Sequence, residues 1–121
     1  MKNIKYIVAI VVIATTCYSC DEIIYVPDIS EESVHIIAPT NAVSVSAGNI
    51  NFNWEIVDEA TEYQLQIATP NFAQASQIVE EQLTTTTSFN VELVANEYEW
   101  RVRAINSAYE TAYTTNSLTV E

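Results

Sequence analysis

The chain is poor in the residues from which most catalytic and nucleic-acid-binding sites are built. It has a single glycine, whereas phosphate-cradling loops need several where the backbone must approach the anion. One histidine and two cysteines do not make a four-ligand zinc site of the His/Cys kind. A nucleophilic serine has only His35 to draw on as a base. Four Lys+Arg against 16 Asp+Glu, a formal charge of −12, argue against nucleic acid, because phosphate binding depends on clustered cations. Glycoside hydrolysis needs two carboxylates facing each other across a cleft, and 121 residues leave room for one small domain and few walls. No catalytic residue, metal or cofactor is expected, and the chain is read as a non-enzyme.

What is present begins with an address. Lys2 and Lys5 precede nine apolar residues, Tyr6 to Ala14, followed by Thr15-Thr16-Cys17-Tyr18-Ser19-Cys20. As a helix, such a run reaches only about 14 Å against a hydrocarbon core of about 30 Å, which argues against a spanning segment. A basic start, an apolar stretch and small residues before a cut describe a secretory signal peptide over residues 1–19. Ser19-Cys20 resembles the lipobox of bacterial lipoproteins, in which the cysteine is acylated and becomes the first mature residue. Cys17 is the competing position, behind the bulkier Thr16. Acylation at Cys20 also disposes of a thiol that has no downstream cysteine to pair with. The resemblance implies an outer-membrane lipoprotein of the cell envelope, held to the membrane by its N-terminal acyl chains.

Cleavage before Cys20 leaves two arginines and all 16 carboxylates, so that 2 − 16 = −14. Anionic head groups would repel that surface, and membrane attachment falls to the lipid. Residues 20–33, with Asp21, Glu22, Asp28, Glu31, Glu32 and Pro27, read as the acylated cysteine and an acidic tether, about 43 Å long if its thirteen residues are extended. Asp21-Glu22 resembles, in short form, the surface-export signal of Bacteroidetes-type lipoproteins, which implies surface display.

From Val34 to Glu121 the pattern is alternation, the mark of half-buried strands. Ile50, Phe52 and Trp54 alternate with asparagines; Tyr63, Leu65 and Ile67 with Glu62, Gln64 and Gln66; Phe89, Val91 and Leu93 with Ser88, Asn90 and Glu92. Tyr98, Trp100, Val102 and Ala104 alternate with Glu97, Glu99, Arg101 and Arg103, and Leu118 and Val120 close the series. Turn residues separate these runs at Ala47-Gly48-Asn49, Val57 to Ala60, Thr69-Pro70-Asn71, Ala95-Asn96-Glu97 and Asn106-Ser107. The reading is an all-β antiparallel sandwich of about seven strands in two sheets.

Those residues resemble the fibronectin type III domain in its bacterial lipoprotein form. Trp54 lies where that family has its strand-B tryptophan, Tyr63 to Ile67 look like strand C, and Leu93 with Tyr98 to Asn106 matches strand F. Tyr98 takes the tyrosine-corner position, whose hydroxyl bonds back to nearby backbone. Asn96 stands where many relatives have glycine.

Ligand contacts are harder to place. Asp58, Glu59, Glu62 and the pair Glu80-Glu81 lack the alternating Asp/Asn pattern and glycine turn of a calcium loop, and read as solvated carboxylates. Arg101 and Arg103, on the outer face of strand F, are suited to grip a carboxylate bidentately or to pair with neighbours such as Glu62 or Glu99. Phe72, in the loop after strand C, and Tyr109 and Tyr113, between strands F and G, are aromatics that the core does not need. The fold the resemblance implies places Tyr109, Tyr113 and the Asp58/Glu59 turn toward the membrane, and Phe72 with the Ala47-Gly48 turn away from it. The chain is expected to be an interaction or accessory binding module, its partner another envelope protein or, by resemblance to accessory lipoproteins of glycan uptake, a carbohydrate.

Overall fold

A computed structural model of the protein describes residues 25–75 and 77–121; the expected signal peptide, Cys20 and the start of the expected tether lie outside them. Among the described residues there is no helix. Eight strands follow in order: β1 (Ile36–Ala38), β2 (Val43–Val45), β3 (Gly48–Trp54), β4 (Glu62–Thr69), β5 (Gln77–Thr84), β6 (Ser88–Leu93), β7 (Asn96–Ile105) and β8 (Thr114–Val120). One sheet has the order β1-β3-β6 and the other β2-β8-β7-β4-β5, a sandwich whose inner faces supply the core.

Eight strands accord with the expected count of about seven, and the start of the chain shows where the additional one arises. What reads as one first strand is divided between the two sheets: β1 pairs antiparallel with β3, whereas β2 pairs parallel with β8. Pro39 between them has no N–H to extend the β1 ladder, and Ala42 takes a left-handed φ of 62°, so the chain steps across. The strand β5, Gln77 to Thr84, has no clean alternation because it is an edge strand, and its register against β4 shifts at Ile67/Ala68. Gly48 begins β3 with φ of 133°, and a Cβ there would meet nothing within 4 Å. The backbone angle, not space, asks for glycine.

Alternation sorts the side chains as the strands demand. Phe52, Leu65, Ile67, Trp100, Val102 and Ala104 are fully enclosed, with Trp54 beside them, and each large apolar side chain so placed contributes about 1.5–3 kcal/mol. Phe52 meets Trp100 edge-on at 4.8 Å and Trp54 meets Tyr63 at 5.7 Å, so aromatic contacts tie one sheet to the other. The indole nitrogens of Trp54 and Trp100 are buried without a hydrogen-bond partner, a cost of about 1–3 kcal/mol each set against the area the rings bury. The Tyr98 hydroxyl donates to the Val94 carbonyl at 2.8 Å, closing the turn between β6 and β7.

The boundary drawn at Ser33 falls inside packed structure. Ile29 and Val34 are each only 2 % exposed and belong to the core. Buried Asn106 holds the lead segment down: its Nδ2 donates to the carbonyls of Pro27 (2.9 Å) and Glu59 (3.3 Å), and its Oδ1 accepts from the N–H groups of Ala108 and Tyr109. The Asp28 carboxylate accepts from the Ser30 hydroxyl and N–H, and these bonds hold it below the ordinary carboxylate range. A composition that looks like tether thus hides one apolar plug, because sequence periodicity does not register a single buried residue.

Candidate functional site

The outward positions of the five-stranded sheet carry the concentration of functional side chains. On β7, Arg101 and Arg103 stand two residues apart and so share a face. Register places Gln66 opposite Arg101 and Gln64 opposite Arg103 on β4, with Glu81 opposite Gln66 on β5. The side chains follow that geometry. Arg101 Nε donates to Gln66 Oε1 at 2.8 Å, and Arg103 Nε and Nη2 donate to Gln64 Oε1 at 3.1 and 2.8 Å. Both glutamine amides in turn donate to Glu81, at 3.0 and 2.8 Å. A carboxylate on the sheet edge therefore orients two amides, which orient two guanidinium groups.

Aromatic rings complete the arrangement. The Arg101 guanidinium carbon lies 4.0 Å from the centre of the Phe72 ring and 4.2 Å from that of Tyr113, while Arg103 lies 4.7 Å from the other arginine's partner, Tyr113. Each such contact is worth about 0.5–1 kcal/mol at an exposed site. Phe72 is fixed from behind, since its N–H donates to Glu99 Oε1 at 2.9 Å. Arg103 closes its own valences through Nη1, which meets Glu110 at 2.9 Å in the ion pair found among the described residues.

This geometry changes two sequence expectations. Phe72 and Tyr113, expected at opposite ends of the sandwich, both lie against the Arg101 guanidinium, where its charge meets the ring faces. The carboxylates expected to pair with the arginines are also different ones. Glu110, in the β7–β8 connection, takes Arg103, and Glu99 takes the Phe72 backbone. Tyr109 does not join the stack; it lies at an open hollow lined by Ser30, Ile105, Asn106 and Glu110. His35 is exposed just before β1, its carbonyl accepting from Glu55 N–H. Gln64 and Gln66 carry no motif in the sequence, and Glu81, read there as a solvated carboxylate, instead accepts from both glutamine amides. Alternation puts each on an outward face, but the strand pairing that brings them to the arginines is not written in any one strand.

Among the described residues, no three His, Cys, Asp or Glu side chains group so as to hold a metal ion. The stack presents fixed donors and aromatic rings, with amides and carboxylates beside them.

No protein-family model and no curated protein sequence matches the chain. Its fold does have counterparts among solved structures. The fibronectin(III)-like modules of Clostridium thermocellum CbhA are 11% identical, with a TM-score of 0.52 over 73% of this chain and 95% of that one. The fn3 domain of the human collagen alpha-1(XX) chain is 15% identical, with a TM-score of 0.55 over 70% of this chain and 82% of its own. A structure named FN3tt is 14% identical, with a TM-score of 0.52 over 74% and 90% of the two chains. At such identities it is architecture that is shared. The described residues form a two-sheet sandwich of the fibronectin type III fold.

Proposed function

We propose that this protein is a non-enzymatic binding module of a bacterial cell envelope, anchored in the outer membrane by acyl chains on Cys20, and that it works through the outer face of its five-stranded sheet. The observation that carries the reading is the Phe72–Arg101–Tyr113–Arg103 stack. Two aromatic rings and both arginines of the mature chain are committed to an exposed sheet face, where they add nothing to the enclosed core. The fold supports it in kind, since the neighbouring structures are modules of larger proteins or single domains of this type. The export signal supports the address: basic residues, an apolar run too short to span, and Ser19-Cys20. The docked lead segment supports a short leash, because only about six residues separate Cys20 from Pro27, roughly 20 Å when extended.

Two measurements test this. Cys20→Ala should abolish acyl labelling and release the protein from membranes; unchanged retention would refute the anchor. A photo-crosslinker at Thr115, across from Arg101 on β8, should capture envelope material in intact cells, whereas one at Asn51 on the opposite sheet should not. Equal capture from both faces would refute the assignment of the binding face.

A further inference from the structure

Resting on the reading of the chain as a binding module, we infer that the outer edge of Arg101 is a site for the carboxylate of an acidic sugar. The two arginines of the stack differ in one respect. Arg103 uses Nε and Nη2 on Gln64 and Nη1 on Glu110. Arg101 uses Nε alone, on Gln66, and its two terminal amino groups have no acceptor among the described residues. The carboxylates nearest in the network are engaged elsewhere: Glu81 with the two glutamines, Glu99 with the Phe72 N–H, Glu110 with Arg103.

Two rings pack against the Arg101 guanidinium, Phe72 at 4.0 Å and Tyr113 at 4.2 Å. The terminal amino groups lie in the guanidinium plane, and their N–H groups are left to an acceptor from outside the described residues. A planar acceptor lying in that plane satisfies two of them at once, and a carboxylate has this shape. Because the group is already held by Gln66 and two rings, little side-chain freedom is lost on binding. In a mature chain of formal charge −14, counted as 2 − 16, a polyanion is repelled at long range. A ligand with one carboxylate on an uncharged frame is favoured.

The surroundings favour a sugar frame over a peptide. Arg101 lies on β7, whose backbone is paired on one side with β4 and on the other with β8, so an extended peptide finds no free ladder there. The rim is made of hydroxyls and amides, Thr115 opposite Arg101, Ser117 opposite Glu99, and Gln66. These match the hydroxyl groups of a sugar.

The test is a titration of the full isotope-labelled chain in neutral detergent micelles with methyl glucuronide, following the Arg101 Nε–H resonance. Saturable shifts are expected with methyl glucuronide and none with methyl glucoside, which has the same ring without the charge. Arg101→Gln should weaken binding at least about tenfold, as loss of a charge-assisted pair does. Arg101→Lys, which keeps the charge but not the planar fork, should weaken it similarly, and Asn51→Ala, on the opposite sheet, should stay within about twofold. Well-dispersed spectra of the variants report that each is folded. The inference is overturned if the neutral glycoside binds equally, if Arg101→Lys binds like the parent, if no saturable shift appears, or if N-acetylalanine binds more tightly than the glucuronide. None of those results touches the crosslinking and release experiments, so the binding-module reading stands or falls separately.

Discussion

At the scale of single residues, three polar side chains settle places that apolar packing leaves open. Tyr98 buries its ring and donates its hydroxyl to the Val94 carbonyl; Tyr63 also buries its ring, and its hydroxyl accepts from the Val57 N–H at 2.9 Å. Asn106 gathers three chain segments with one amide. Tyr98→Phe removes a hydrogen bond and leaves the ring, and should cost about 1 kcal/mol in urea unfolding at neutral pH. Burial raises the Tyr98 hydroxyl above its ordinary value of 10.0, the Val94 bond opposing only in part. The folded form therefore holds that proton longer than the unfolded chain, and its contribution is complete below pH 10 and fades as pH climbs through the raised value. Stability should fall above about pH 10 more steeply in the parent than in Tyr98→Phe; parallel curves would remove Tyr98 from the cause.

At the scale of elements, the lead segment and β5 depart most from their sequence signatures. Ile29 is enclosed like a strand residue although it belongs to no strand. Ile29→Ala should destabilise the domain by about 2–5 kcal/mol, the usual loss for a buried aliphatic. A change below about 0.5 kcal/mol, as for a solvated tether, would show that the segment is undocked in solution. The strand β5 carries Glu80 and Gln82 on positions paired with the core-facing Ile67 and Leu65, where the five-stranded sheet outreaches its three-stranded partner. Charged inward-pointing residues on an edge discourage pairing with another chain, and Gln82 donates to Glu80 at 2.5 Å. Glu80→Val with Gln82→Val should raise concentration-dependent association, measured by light scattering, without loss of the monomer fold.

For the molecule as a whole, the dominant fact is charge. With 16 carboxylates against four cations in the sequence, like-charge repulsion acts on a small sandwich, and screening should relieve it. Raising sodium chloride from about 20 mM to about 500 mM, where the Debye length drops below about 5 Å, should raise the melting temperature by several degrees. A fall instead would mean that the Arg103–Glu110 pair and the stack outweigh the repulsion.

Period-two alternation in β3, β4, β6, β7 and β8 is a local property, and it was enough to identify a sandwich, its buried aromatics and the outward direction of Arg101 and Arg103. Composition was enough to exclude phosphate loops and His/Cys zinc sites. Pairing is not local. That Gln66 faces Arg101, that Phe72 and Tyr113 converge on one guanidinium from separate loops, and that Ile29 closes the core are outcomes of register and chain path. They join residues dozens of positions apart, and no window of sequence contains both partners. The alphabet of the strands therefore came from the chain itself, while the contacts that make a site exist only once two sheets have packed.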